Sequence, residues 1–383
     1  MTRRDIATPA LVLDLAALQR NIARMAAFFA DGPCRLRPHF KAHKTPAIAR
    51  RQLAAGSTVG LTCATVGEAE VVAAFCDDVL LANEIVGADK CARVADLARR
   101  ITMTVAVDSV EGVEALSAAA VLALAPSAGV TTGLTIGVLV DLDVGMGRCG
   151  VAPGQAAVAL AARVASTPGL TLRGVMGYEG HLQPVRDRQT RTRQATDAMQ
   201  RLVATAEALR HAGLSCDIVS GGGTGTYDIS GRVAGVTEIQ AGSYALMDTD
   251  YAEVGVPFEH AFFLLGTVVS RPTPERCVVD CGHKSQTKDH GLPAVRSIPG
   301  AVVTSLNDEH ATIALPAGAR VHIGDRLELV PSHTDPTVNL HDVFYVTEGD
   351  QVVDRWPIAR GYPEQRVVRP AGAASVCHEG GSR

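Results

Sequence analysis

The feature that most constrains the fold is an alternation, along the middle of the chain, between short β-rich runs and amphipathic helical runs. Strands that return to one sheet in the same direction need a crossover, and a helix supplies it. This grammar therefore predicts parallel strands with crossover helices. Eight such runs can be counted, at 36–39, 59–63, 79–82, 103–107, 136–140, 172–176, 217–220 and 236–240. Eight is the number that closes a parallel barrel. In the first helix Leu18, Ile22, Met25 and Phe29 recur at i, i+4, i+7 and i+11, with Asp14 placed to cap the start. A helix from about 190 to 211 carries Met199, Leu202, Val203 and Leu209 among many arginines and glutamines, so its outer face is expected to be solvated.

After about residue 255 the grammar changes to strands without long helices, at 262–265, 277–280, 301–304, 326–330 and 343–346. The first dozen residues also read as strand and are expected to join that second part. The predicted architecture is α/β: a (β/α)8 TIM barrel over 15–255, a β-rich domain built from 1–14 and 256–370, and a mobile tail rich in Gly and Ser at 371–383. A chain of 383 residues has room for one such barrel and a smaller domain.

Hydrophobic residues make up 47% and charged residues 20%, the balance of a globular protein with a sizeable core. A formal net charge of -4 supplies no basic field, which argues against nucleic acid or an anionic membrane surface as partner. No stretch of about 18 residues stays apolar; the nearest, 116–130, is broken by Ser and Pro and reads as a helix and a turn. No basic n-region precedes an apolar run at the start. The nine cysteines show no C-x-x-C spacing, so neither a zinc ribbon nor a thioredoxin-type motif is present, and reduced thiols in a cytoplasmic protein fit best.

In a parallel barrel the reactive groups gather on the loops that follow the strands. The first strand leads into Arg37-Pro38-His39-Phe40-Lys41-Ala42-His43-Lys44, a density of basic groups that is either a solvated loop or the setting of a lysine able to form a Schiff base. The seventh and eighth lead into Ser220-Gly221-Gly222-Gly223-Thr224-Gly225-Thr226 and Ala241-Gly242-Ser243-Tyr244. Each glycine-rich run alone is compatible with an ordinary tight turn. Together they stand where barrels bind phosphate through backbone N–H groups. The fifth strand precedes a loop in which glycines let Arg148 fold back over the mouth, and the sixth ends at Tyr178-Glu179-Gly180-His181, three groups suited to acid–base work. Beyond the barrel, His333 and Asp335 are two apart, the spacing that puts both on one side of an extended segment and suits a hard or borderline divalent ion, although an isolated H-x-D is usually structural.

The lysine run, Asp143-Val144-Gly145-Met146-Gly147-Arg148-Cys149-Gly150, the triple glycine, and Pro331-Ser332-His333-Thr334-Asp335-Pro336 with Asn339-Leu340-His341-Asp342 behind it together resemble the D-threonine aldolase and D-serine dehydratase family over roughly residues 8–357. The resemblance implies a fold-type III, alanine-racemase-like barrel plus a C-terminal β-domain, with pyridoxal 5'-phosphate and a divalent metal such as manganese or magnesium as cofactors. It implies that Lys41 carries the cofactor, that His39, Arg148 and Tyr178 meet the ring or its substituents, and that Gly223, Thr224, Gly242, Ser243 and Tyr244 surround the phosphate. His333 and Asp335 would bind the metal. Aldolases of the family carry H-x-D where dehydratases carry H-x-C, so Asp335 points to the aldolase branch.

Two positions depart from the family pattern. Aldolases follow the tyrosine motif with a Gln-His pair whose histidine takes the hydroxyl proton, whereas here Gln183 runs into Pro184; His181, three residues earlier, or solvent held by the metal would replace it. The Thr62-Cys63-Ala64-Thr65 segment lacks the family's Gln-Lys. The implied reaction is retro-aldol cleavage of a D-3-hydroxy amino acid, D-threonine-like or 3-hydroxyaspartate-like, to glycine and an aldehyde. Dehydration of such a substrate is the alternative, ahead of racemisation and of a non-catalytic cofactor-binding role. A homodimer is the assembly that the family implies.

Overall fold

The computed structural model describes residues 1–124 and 135–362. The second half of the 116–130 run and the tail from 371 lie outside the described residues. Strand β1, Ala10–Asp14, is followed by a parallel sheet of eight: β2 Arg35–Leu36, β3 Leu61–Cys63, β4 Asp78–Glu84, β5 Thr102–Val107, β6 Ile136–Asp141, β7 Leu170–Gly177, β8 Ile218–Gly221 and β9 Glu238–Ile239. Their order runs β2-β9-β8-β7-β6-β5-β4-β3, and parallel bridges Leu36–Thr58 and His39–Thr62 bring β2 beside β3, so the sheet closes. Each of the eight strands expected from the sequence is present.

The first strand is shorter than 36–39 because Pro38 has no N–H to give a ladder. Its carbonyl still accepts from the Thr62 amide, and the chain then tightens into a 3-10 turn over Phe40–Ala42. Alternation along the strands separates two cores. Leu80, Ala106, Leu139, Met176 and Ile218, one from each of five successive strands, fill the barrel interior, while their neighbours Val79, Leu81, Val105 and Val138 pack outward against the helices.

The helix Leu15–Phe28 begins as expected, with the Asp14 carboxylate accepting from the Ala17 amide at 3.0 Å and Leu18, Ile22, Met25 and Phe29 buried. In the helix Arg188–His211 the outer face is solvated except at Arg191, which is 1% exposed and gives its guanidinium to the carbonyls of Val185, Arg186 and Val254. It ties the loop after β7 to the end of the helix Thr249–Val254.

The second sheet is antiparallel except where β1 joins it. It contains β10 Phe262–Thr273, β11 Arg276–Val279, β12 Ala294–Val295, β13 Val302–Leu306, β14 Ala311–Ala314, β15 Arg326–Val330, β16 Val343–Glu348 and β17 Gln351–Pro357. β1 lies between β10, antiparallel, and β16, parallel. β10 also pairs with β11, which rolls the other end of the sheet up. Three strands here, β12, β14 and β17, have no counterpart among the five expected: β12 has only two residues, β14 only four, and in Gln351–Pro357 Asp354 interrupts the apolar side between Val352 and Trp356. Among the described residues no helix is long and apolar enough to cross a membrane.

Candidate active site

The basic cluster after β2 is sorted by burial. Arg37 makes a two-pronged ion pair with Glu238, 2.8 Å for each bond, and a third bond of 2.7 Å to Asp78. His43 bonds to Gln52 at 3.1 Å and Lys44 pairs with Glu68 at 3.3 Å. Burial pushes the His43 imidazole down to about 4 and the Glu68 carboxyl above its ordinary range. These three side chains, two cations and a neutral imidazole, are structural, which leaves His39 and Lys41 to face the barrel mouth. His39 is held neutral by burial first and by the neighbouring Lys41 second, far below its ordinary value. Its Nδ1 accepts from the Lys41 amide at 3.4 Å, and Lys41 Nζ stands 5.8 Å above the Tyr178 ring.

Lys41 opens into a cavity of about 380 Å³, in the size range of small-molecule sites. His39, Arg148, Tyr178, Gly223, Thr224, Gly242, Ser243, His333 and Asp335 line the same cavity. Residues from the ends of β2, β6, β7, β8 and β9 are thereby joined by a pair from the second sheet's side of the molecule. The Ser243 hydroxyl reaches Asp335 Oδ2 at 3.4 Å, which links the loop after β9 to the H-x-D segment. His333 Nε2 lies 4.0 Å from Asp335 Oδ2. Tyr178 is pushed above its ordinary range by burial, then by the charges of Glu179 and Asp335.

Two expected site residues are not brought in. Tyr244 is fully buried; its hydroxyl accepts from Gln52 at 3.0 Å, and only its amide, bonded to Thr224 Oγ1 at 3.0 Å, touches the glycine-rich loops. His181 is exposed and does not line the cavity. The 3-10 turn Gly180–Leu182 buries Leu182 and turns the imidazole outward, against Gly145. Glu179 also turns away from the cavity, accepting from Gly222 N at 3.2 Å, Thr226 Oγ1 at 2.6 Å and Ser230 Oγ at 2.7 Å.

Sequence reasoning missed several neighbours. Tyr251, on the helix after β9, lines the cavity and is partly buried. Asp141, at the end of β6, is pushed up to about 8 by burial and next by Glu84. Asp289 bonds His333 Nδ1 at 2.7 Å, and the His290 ring stacks on that of His333 with centroids 4.1 Å apart. A carboxylate at a barrel strand end was a usable signal for Asp141. Nothing local marked Asp289 or His290.

The residues fit the expected cofactors. Thr224, Gly242 and Ser243 line the cavity and their amides have no protein acceptor among the described residues, which leaves three donors for a phosphate. A Cβ on Gly242 would lie 2.7 Å from the His39 carbonyl oxygen, so the loop can close on the lysine turn only as glycine. One imidazole and one carboxylate 4.0 Å apart suit a single divalent ion bonded at about 2.1 Å to each, with sites left for small ligands.

A closed eight-stranded parallel barrel with a lysine on the loop after its first strand, glycine-rich loops after its last two strands and an appended β-sheet defines the alanine-racemase-like class of pyridoxal-phosphate enzymes. The alanine racemase N-terminal domain family matches residues 13–250 and the serine dehydratase domain family residues 261–347. The chain is 41% identical to a D-threonine aldolase of Arthrobacter sp over 362 residues, 93% of each chain, and 36% identical to a 3-hydroxy-D-aspartate aldolase of Paracoccus denitrificans over 373 residues, 94% of each. The crystal structure of D-threonine aldolase from Filomicrobium marinum superposes with a TM-score of 0.89 at 42% identity, covering 94% of this chain and 97% of that one. The chain belongs to the D-threonine aldolase and D-serine dehydratase family.

Proposed function

We propose that this enzyme cleaves D-3-hydroxy amino acids to glycine and an aldehyde, using pyridoxal phosphate on Lys41 and a divalent ion held by His333 and Asp335. The observation that carries the reading is that Lys41 and the His333/Asp335 pair open into one cavity of about 380 Å³, bridged along its wall by the Ser243–Asp335 contact. When bound, pyridoxal phosphate supplies an electron sink for the breaking Cα–Cβ bond and the ion a Lewis-acid contact for the 3-hydroxyl.

The chain's own groups do the rest. The amides of Thr224, Gly242 and Ser243 would hold the phosphate, and Arg148 and His39, which line the same cavity, would meet the ring or its substituents. Neutral His39 adds no second positive charge beside Lys41. Lys41 Nζ, above the Tyr178 ring, would return a proton to the α-carbon before glycine leaves. His181 takes no part in this arrangement. The same reading takes the protein as a cytoplasmic homodimer, a state that light scattering on the purified chain would check.

The test is incubation with pyridoxal phosphate, manganese or magnesium and a panel of D-3-hydroxy amino acids, with glycine and ammonia followed in parallel. Glycine and an aldehyde, both lost in Lys41→Ala, are expected. Ammonia without glycine would assign a dehydratase instead.

A further inference from the structure

The turn at 287–290, between β11 and β12, is attached to the H-x-D segment at several points. His333 Nδ1 meets Asp289 Oδ2 at 2.7 Å. The other Asp289 oxygen accepts from the Thr287 hydroxyl at 2.8 Å, and the Thr287 amide donates to Thr337 Oγ1 at 3.3 Å. Thr337 lies on the helix Thr334–Asn339, which also carries Asp335, so the path closes on the segment it started from. His290 stacks flat on His333, with ring planes 9° apart, and its own Nδ1 reaches Asp250 Oδ2 at 3.0 Å on the helix Thr249–Val254. The imidazole of His333 is therefore fixed edge-on by Asp289 and face-on by His290.

A carboxylate at Nδ1 can only accept, so Nδ1 carries the hydrogen and Nε2, on the Asp335 side, keeps its lone pair. Fixing the tautomer and rotation of a metal-binding imidazole through its other nitrogen typically changes affinity 10–100-fold. We propose that Asp289 is a positioning residue for the metal pair: through His333 Nδ1, and braced by Thr287, it presets His333 Nε2 towards Asp335. The inference rests on the reading of His333 and Asp335 as the metal pair.

The test is manganese affinity, measured by electron paramagnetic resonance titration of the full-length, pyridoxal-phosphate-loaded protein, with the cofactor absorbance band of each variant as the check on folding. Asp289→Ala is expected to weaken manganese binding about 10–100-fold, Asp289→Asn less because its carboxamide oxygen still accepts from Nδ1–H, Thr287→Val least, and His333→Ala to abolish it. Asp289→Ala within twofold of wild type, with His333→Ala inactive in binding, would overturn the positioning role alone. So would an Asp289→Asn variant as weak as His333→Ala, since Asp289 would then be a direct ligand. Equal binding by wild type and His333→Ala would overturn the metal pair itself.

Discussion

The Glu179 carboxylate accepts a 2.6 Å hydrogen bond from the Thr226 hydroxyl in a site with no solvent exposure of either residue. It also holds Gly222 N and Ser230 Oγ, so one buried carboxylate fixes the glycine-rich loop after β8. Glu179→Ala strands three buried donors and is expected to lower stability by about 3 kcal/mol or more, since each unsatisfied group costs about 1–3 kcal/mol. Glu179→Gln, which keeps an acceptor, should cost less than half of that. Urea unfolding gives the stabilities, and cofactor titration should show weaker binding in the order wild type, Gln, Ala.

Gly242 has no room for a side chain: its Cβ would meet the His39 carbonyl oxygen at 2.7 Å and the His39 Cβ at 3.0 Å. Both are backbone-fixed atoms on the lysine turn. Gly242→Ala should push the loop after β9 off that turn and weaken cofactor binding about 10-fold, the equivalent of an overpacking penalty near 1.4 kcal/mol. Absorbance titration with pyridoxal phosphate measures it, and unchanged affinity would argue against this loop as the phosphate cradle.

His43, held down to about 4 by burial, is neutral in the fold at neutral pH. The unfolded chain takes up its proton near 6.5 and the folded one near 4, so this contribution to stability is complete above pH 6.5 and is lost as pH falls towards 4, by about 3 kcal/mol. His43→Gln should flatten that part of the pH dependence. Urea midpoints at pH 7 and pH 5 for both proteins decide it.

Asp141 has the opposite sign. Its carboxyl is pushed up to about 8, first by burial and then by Glu84, so the folded state holds a proton that the unfolded state releases near 4. The contribution is full below pH 4 and fades as pH rises to 8. Asp141→Asn, which mimics the protonated form, should raise stability at pH 7.5, by up to about 5 kcal/mol, and lose that advantage towards pH 4. Thermal unfolding of the two proteins across this range would show the crossover, and a constant difference would exclude it.

Much of the site was legible because its chemistry sits on consecutive residues. The lysine turn, the triple glycine and the H-x-D segment each carry their own local signature, and the rule that barrel loops face one mouth placed the first two together. Side-chain direction was less legible. Ser243 and Tyr244 are adjacent, yet the turn Ser243–Ala245 sends the hydroxyl to Asp335 and the phenol to Gln52. His181 sits beside Leu182, and the turn Gly180–Leu182 buries the leucine and leaves the imidazole exposed.

By itself the sequence determined the eight strands and their parallel sense, because hydrophobic period and glycine placement act over a few residues, while it was the family resemblance that pointed to Lys41 as the residue to hold the cofactor. Only the tertiary structure decided which of the basic side chains after β2 are free to act. Arg37, His43 and Lys44 are consumed by Glu238, Gln52 and Glu68, which are 201, 9 and 24 positions away along the chain. It likewise brought Asp289 and His290 against His333, 44 and 43 positions further on. Such pairs are set by where two elements meet in space, and burial then forces each buried charge to find its partner there.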